Sequence, residues 1–316
     1  MRALVTGVAG FIGSHLAEHL VGKGHEVRGV DCFTPYYGRD QKKENLAGLD
    51  GRDSFEMVEA DLRVRDLSPL VADVDTVFHL AAEPGVRDSW AQQFAVYNEH
   101  NVLATQRLLE AARGSGIRRF VYASGSSVYG NAWSEPWRET DLPRPHSPYG
   151  ATKLAAEHLC ALYADVFGVP TVSLRYFTVY GPRQRPDMAI QRFFQAGLDG
   201  APLTIYGWGS QVRDFTHVDD VVTATVSAAT ADLTSGEVVN VGGGSLITVE
   251  EVVNLVSDLL NGQVRVLRQP DQPGDVVRSE GSFERARRLL GWVPTVKLDE
   301  GLASQVEWAR RRHGGL

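Results

Sequence analysis

Up to about residue 175 the chain alternates short apolar runs with longer amphipathic stretches. The runs RALVTG, HEVRGVD, SFEMVEAD, VDTVFHLAA, RRFVYAS and PTVSLRYF are short and mainly apolar. Strands buried on both faces read this way, so a parallel sheet covered by helices on both sides is expected. FIGSHLAEHLVGKG and NVLATQRLLEAARGSG are the plainest intervening helices, each ending at a glycine that can close a helix C-terminus.

After residue 177 the pattern changes. RQRPDMAIQRFFQAGLDG predicts a helix behind a Pro-rich turn, and PLTIYG and DFTHVDD predict short extended pieces. VVTATVSAAT, TVEEVVNLVSDLLNG, FERARRLLGW and LDEGLASQVEWARRR predict helices. No long linker or internal repeat separates the halves. The expected organisation is residues 1–177 as a nucleotide-binding region, with residues 178–316 mainly a substrate region interleaved with it.

Composition excludes several classes of function. The 316 residues are 43% hydrophobic and 22% charged, an ordinary globular balance, with a formal net charge of −7. No basic block points to nucleic acid. No apolar run is long enough for a membrane span, and no signal peptide is read at the N-terminus. Two cysteines, Cys32 and Cys160, suit free thiols in a reducing cytoplasm. Among nine histidines the best metal pair is His15 and His19, which lacks a third ligand nearby in sequence, so no metal site is expected.

The first chemical signal is TGVAGFIGSHLAEHL. Gly7, Gly10 and Gly13 lie between the first strand and first helix, where a backbone must turn tightly and approach a pyrophosphate. Asp31 ends the second strand. A carboxylate there accepts from a ribose 2′-hydroxyl and repels a 2′-phosphate, favouring NAD over NADP. The expected class is therefore α/β, a Rossmann-type doubly wound parallel sheet with a smaller, interleaved C-terminal α/β region. Asp61, after the third strand, could reach the adenine edge or cap a helix beginning at Leu62.

SPYGATKLAAEHL places Tyr149 and Lys153 four apart, on one face of a helix. A free tyrosine titrates near 10, too high for a neutral-pH base. An adjacent ammonium and an oxidised nicotinamide stabilise the phenolate.

TGVAGFIGSH, FHLAAEPGVRDS, YASGSSVYG, SPYGATKLAAE, RYFTVYGP, RDFTHVDD and PGDVVRS together resemble the extended short-chain dehydrogenase/reductase family, specifically its nucleotide-sugar epimerases and dehydratases. The resemblance implies a tightly held NAD, a Tyr149 base and Lys153 on the nicotinamide ribose. It also implies cofactor contacts from Phe11, Ile12, Leu62, Leu80, Ala81, Ala82 and Tyr176, and a homodimer built on helices near 95–113 and 149–167.

YASGSSVYG departs from the family. The usual hydroxyl position is Gly125, flanked by Ser124 and Ser126. Glycine would let the turn shift so that Ser126 fills the role; the alternative is that both serines only satisfy backbone groups. Ser127 stands where dehydratases and UDP-glucuronate decarboxylases carry an acid, which leaves epimerisation at carbon 4 as the simplest chemistry.

For a UDP-sugar, the resemblance puts Arg213 and Arg278 on the diphosphate and Asp275 on the uridine ribose. It adds Gly85, Arg87 and Ser126 to the substrate side, and places Thr178 where many hexose epimerases have Asn. Arg183 is a further candidate cation. CFTPYYGRDQKKENL and YGPRQRPDMAIQRF look like UDP-glucuronate 4-epimerases, with Arg185 placed to clamp a sugar carboxylate. The rival expectations are a UDP-glucose/UDP-galactose 4-epimerase, a decarboxylase or 4,6-dehydratase, and a catalytically silent NAD-binding regulator.

Overall fold

The computed structural model describes residues 1–131, 135–262, 264–272 and 274–314. The six apolar runs form strands β1 (Arg2–Thr6), β2 (Glu26–Asp31), β3 (Phe55–Glu59), β4 (Thr76–His79), β5 (Arg119–Gly125) and β6 (Thr171–Tyr176). Then follow β7 (Thr178–Tyr180), β8 (Leu203–Tyr206), β9 (Val212–His217), β10 (Glu237–Val241), β11 (Ser245–Thr248), β12 (Val266–Gln269) and β13 (Arg278–Ser279).

The main sheet has seven parallel strands in the order β10-β6-β5-β4-β1-β2-β3. Alternate residues of one strand feed opposite layers, as the strand period requires. Ala3 and Val5 join a core with Leu16, Leu20, Val221 and Val222 of the helices Phe11–Gly22 and Val218–Thr230. Leu4 joins a core on the other face with Leu108, Leu109, Ala156 and Cys160. Because both faces are covered, the inner strands are buried along nearly their whole length, whereas the edge strand β3 keeps Glu56 and Glu59 exposed.

The chain beyond residue 178 returns to this sheet: β10 is its edge strand, beside β6. Its remaining strands build a second layer. β9 pairs with β7, β11 and β13, and β8 pairs with β12. A separate core containing Phe194, Ile205, Phe215, Val256, Leu302 and Val306 lies beneath them.

Two local expectations change. No helix begins at Leu62; the next one is the short Ser68–Val71. The helix expected from Asn101 already starts at Phe94 and widens into a π-helical stretch, Asn98–Leu103, before continuing over Ala104–Ala112. A helix also forms at Arg39–Leu46, in a segment with almost no apolar residues.

Candidate active site

The chain leaves β1 toward β2 and leaves β4 toward β5, on the opposite side of the sheet. Loops that diverge in this way open a crevice at the carboxyl ends of the strands. The glycine loop lines one wall. Gly7 has φ +69°, and a Cβ on it would stand 2.8 Å from the Ala81 backbone nitrogen. A Cβ on Gly13 would stand 2.2 Å from the Gly7 carbonyl oxygen. Glycine is therefore required at both for the loop, helix and β4 loop to close together. Gly10 caps the helix Phe11–Gly22 without a side-chain bond, and no acidic residue sits in its first turn. Its first N–H groups and positive dipole end suit an anion.

Asp31 reaches this loop from the end of β2. Its carboxylate accepts hydrogen bonds from Ala9 N–H at 3.1 Å and Phe33 N–H at 2.7 Å. Burial pushes its pKa up, and these donors and Lys42 oppose the rise. Every residue expected at the cofactor lines one cleft, from Gly7 through Asp31 and Ala81 to Tyr149, Lys153 and Tyr176. A glycine cradle at a helix N-terminus and a carboxylate beyond it are the donor and acceptor set that a dinucleotide needs. Asp61 lies in the same wall. It caps no helix: its carboxylate accepts from Arg63 N–H at 2.9 Å and pairs with that guanidinium, which holds its pKa down.

Tyr149 and Lys153 project from the helix Pro148–Phe167. Ser147 caps this helix by accepting from Gly150 N–H, Pro148 supplies its first position, and Gly168 ends it in the left-handed conformation. Burial pushes the Tyr149 phenol up, and the cation that opposes this is Arg185, with Asp187 acting the other way. The sequence predicts the Lys153 ammonium in this role as well. Lys153 places its Nζ 4.7 Å over the Tyr122 ring, and burial lowers its pKa to about 8.

Ser124 ends buried in a polar network. Its hydroxyl donates to Glu157 at 2.8 Å, and Glu157 pairs with Arg175, itself bonded to the Tyr129 hydroxyl. Ser126 opens the one-turn helix Ser126–Val128. Gly125 is not used as a flexible hinge. Its φ of −161° is ordinary extended backbone, and a Cβ there would meet Ser127 Oγ at a comfortable 3.7 Å. Ser127 Oγ is buried without a hydrogen-bond partner among the described residues, a feature that the sequence reading did not weigh.

On the substrate side, Arg185 reaches into the cofactor cleft, while Gly85, Arg87, Ser126, Thr178, Arg213, Asp275 and Arg278 lie outside its walls. Arg185 forks onto Asp187, with Nε–Oδ1 3.0 Å and Nη2–Oδ2 2.8 Å. Tyr36 Oη stands 3.0 Å from Asp88 and 3.3 Å from Asp187. It passes so close to Gly85 (φ +96°) that a Cβ there would lie 2.3 Å from Oη. Arg87 pairs with Asp275 at 2.9 Å and stacks 4.1 Å over the Tyr206 ring. Arg213 is half-buried near both Arg87 and Asp275; desolvation lowers its pKa and Asp275 opposes this. Arg278 stands apart from this group, paired with Glu135 and Glu280, both at 2.7 Å. Arg183 is clamped to Glu18 of the cofactor helix at 2.8 Å. Thr178 opens β7, opposite Phe215. His15 is turned onto the Phe11 carbonyl, and its pKa is lowered by burial to about 3.

Several supporting residues were missed. Asn101, in the π-helical stretch, accepts from Glu83 N–H at 2.7 Å and donates to the Glu83 carbonyl and to Thr152, bracing the loop after β4 against the helix Pro148–Phe167. Asn45 donates to the Ala9 carbonyl, holding the glycine loop. Lys42 lines the cleft and donates to the Thr34 carbonyl at 2.8 Å. The signal for the last two was the Arg39–Leu46 segment, whose buried residues are nearly all polar.

Comparison with known proteins agrees with this geometry. The chain is 43% identical over 320 residues to an uncharacterized UDP-glucose epimerase, YtcB, of Bacillus subtilis, covering 100% of each. It is 35% identical to a UDP-glucuronate 4-epimerase of Thermodesulfobacterium geofontis, covering 97% of this chain and 95% of that one. The crystal structure of the UDP-glucuronic acid 4-epimerase from Bacillus cereus, in complex with UDP-glucuronic acid and NAD, superposes with a TM-score of 0.96 at 40% identity, covering 99% of this chain and 100% of that one. Residues 3–242 match the model of the NAD dependent epimerase/dehydratase family, and the chain belongs to that family.

Proposed function

We propose that the protein is an NAD-dependent UDP-sugar 4-epimerase that interconverts UDP-glucuronate and UDP-galacturonate. The observation that carries this reading is the presence of Arg185 in one cleft with Tyr149, Lys153 and the glycine loop. The same cleft thus offers a cofactor cradle, a base and a cation fit for a carboxylate.

NAD bound in the cradle supplies the acceptor and donor for the hydrogen on sugar carbon 4. Tyr149 takes the proton of the 4-hydroxyl and returns it to the 4-keto oxygen once the sugar has turned over. Burial raises its phenol and Arg185 opposes the rise, so ionisation depends on the cations gathered around it. Lys153 is the second of these and binds the ribose. Ser126 serves as the hydroxyl donor, because the proton of Ser124 is spent on Glu157. Ser127 brings no carboxylate to the turn, which disfavours elimination and decarboxylation. Arg87, Arg213 and Asp275 gather near Tyr206 to receive the uridine diphosphate. Arg278 joins them only by leaving Glu135 and Glu280.

Among the described residues no helix is long and apolar enough to cross a membrane. We place the enzyme in the cytoplasm, where Cys32 and Cys160 remain free thiols. We also propose a homodimer, supported by Leu103, Leu162, Val166 and Phe167, which expose apolar surface on the two helical segments flanking the cofactor site. The direct test is incubation of purified protein with UDP-glucuronate, followed by chromatography. UDP-galacturonate is the expected product; a UDP-pentose, or unchanged UDP-glucuronate, overturns the reading.

A further inference from the structure

Arg185 does not meet the cleft as a bare cation. Its Nε and Nη2 are already taken by both oxygens of Asp187. Nη1 makes no bond to a described residue, so it is left to reach a ligand. Tyr36 Oη lies against Asp187 and Asp88 together, yet a phenol has only one proton to donate. Two carboxylates therefore crowd one hydroxyl beside one guanidinium. Glu83, on the same loop as Asp88, also feels Arg185.

We infer that Asp187 is a specificity-determining residue: by offsetting the charge of Arg185 it moderates the preference for a sugar carboxylate and keeps the cleft open to neutral UDP-hexoses. The inference rests on the uronate reading above and deepens it. Two effects of Asp187 oppose one another. It orients the guanidinium, which helps any ligand of Arg185. It also repels an incoming carboxylate across that same guanidinium. At the effective dielectric of a protein cleft, repulsion between unit charges a few ångströms apart is worth on the order of a tenfold change in affinity or more. An amide at this position separates the two effects. The Asn carbonyl can still accept from Nε, so orientation survives while the charge is lost.

The experiment measures kcat/KM for UDP-glucuronate and for UDP-glucose with NAD-loaded wild type, Asp187→Asn and Asp187→Ala. The ratio of the two substrates cancels losses from misfolding. Asp187→Asn is expected to raise the uronate-to-hexose ratio about tenfold. Asp187→Ala, which also removes the orienting acceptor, is expected to raise it less. If wild type prefers the uronate and Asp187→Asn leaves the ratio unchanged or lowers it, Asp187 only orients Arg185 and the inference fails alone. If wild type turns over UDP-glucose but not UDP-glucuronate, the uronate reading fails and takes the inference with it.

Discussion

Ser124 lines the cofactor cleft, and its hydroxyl donates to Glu157 at 2.8 Å. Glu157 lies one turn after Lys153 on the helix Pro148–Phe167, in a buried ion pair with Arg175. A serine has one proton to give, so Ser124 cannot also donate to a sugar. Ser126→Ala is expected to lower kcat about 10–10³-fold, as for the loss of one positioned donor. Ser124→Ala is expected to lower thermal stability, because it leaves a buried carboxylate short of a partner, with a much smaller effect on kcat. Steady-state kinetics and a melting curve on both variants check this. If Ser126→Ala retains full activity, attention moves to Ser127, whose buried Oγ has no other partner among the described residues.

The Tyr149 phenol is raised by burial and lowered first by Arg185. For a base that works as phenolate, kcat/KM rises with pH until the phenol of the free enzyme is ionised. Removing a cation disfavours the phenolate and raises its pKa. Arg185→Ala should therefore move the rising limb of kcat/KM to higher pH. UDP-glucose is the substrate to use, since it has no carboxylate to lose its clamp. A limb that stays in place in the variant assigns the stabilising charge to Lys153 alone.

Asp31 is half-buried at the end of β2 and already accepts two backbone N–H groups. Its remaining lone pairs suit a ribose hydroxyl, and its charge opposes a phosphate. Calorimetry on cofactor-stripped protein should give tighter binding of NAD than of NADP. Asp31→Asn should narrow that gap by about tenfold, the scale of a charge-assisted hydrogen bond. Equal affinities in wild type would remove Asp31 from cofactor selection.

These predictions rest unevenly on sequence, and the reasons are physical. The inner strands were legible because both sheet faces are buried there, and the edge strand Phe55–Glu59 was legible from Phe55, Met57 and Val58 between exposed glutamates. The seventh, β10, was not, because its buried Asn240 interrupts the run while bonding Tyr129, Trp137 and Ser282. The helix Arg39–Leu46 was hidden because it buries Gln41, Lys42 and Asn45 rather than an apolar stripe. The cofactor residues were readable because a glycine turn and a strand-end carboxylate are local in sequence. The substrate side depends on pairs that are distant in sequence. Arg278 meets Glu135 and Arg183 meets Glu18, and no spacing announces either. Asp187 is only two residues from Arg185, but its meaning depends on Tyr36 and Asp88 arriving from two other loops.

The central claim is that hydrogen leaves carbon 4 of the sugar and returns to the same carbon on its other face, with Tyr149 handling the proton. The most direct measurement uses UDP-glucuronate carrying deuterium at carbon 4, with the product examined by NMR and mass spectrometry. The account predicts UDP-galacturonate that keeps the deuterium at carbon 4, and no such product from Tyr149→Phe. UDP-galacturonate that has exchanged the label with solvent, or a labelled UDP-pentose in its place, would contradict it.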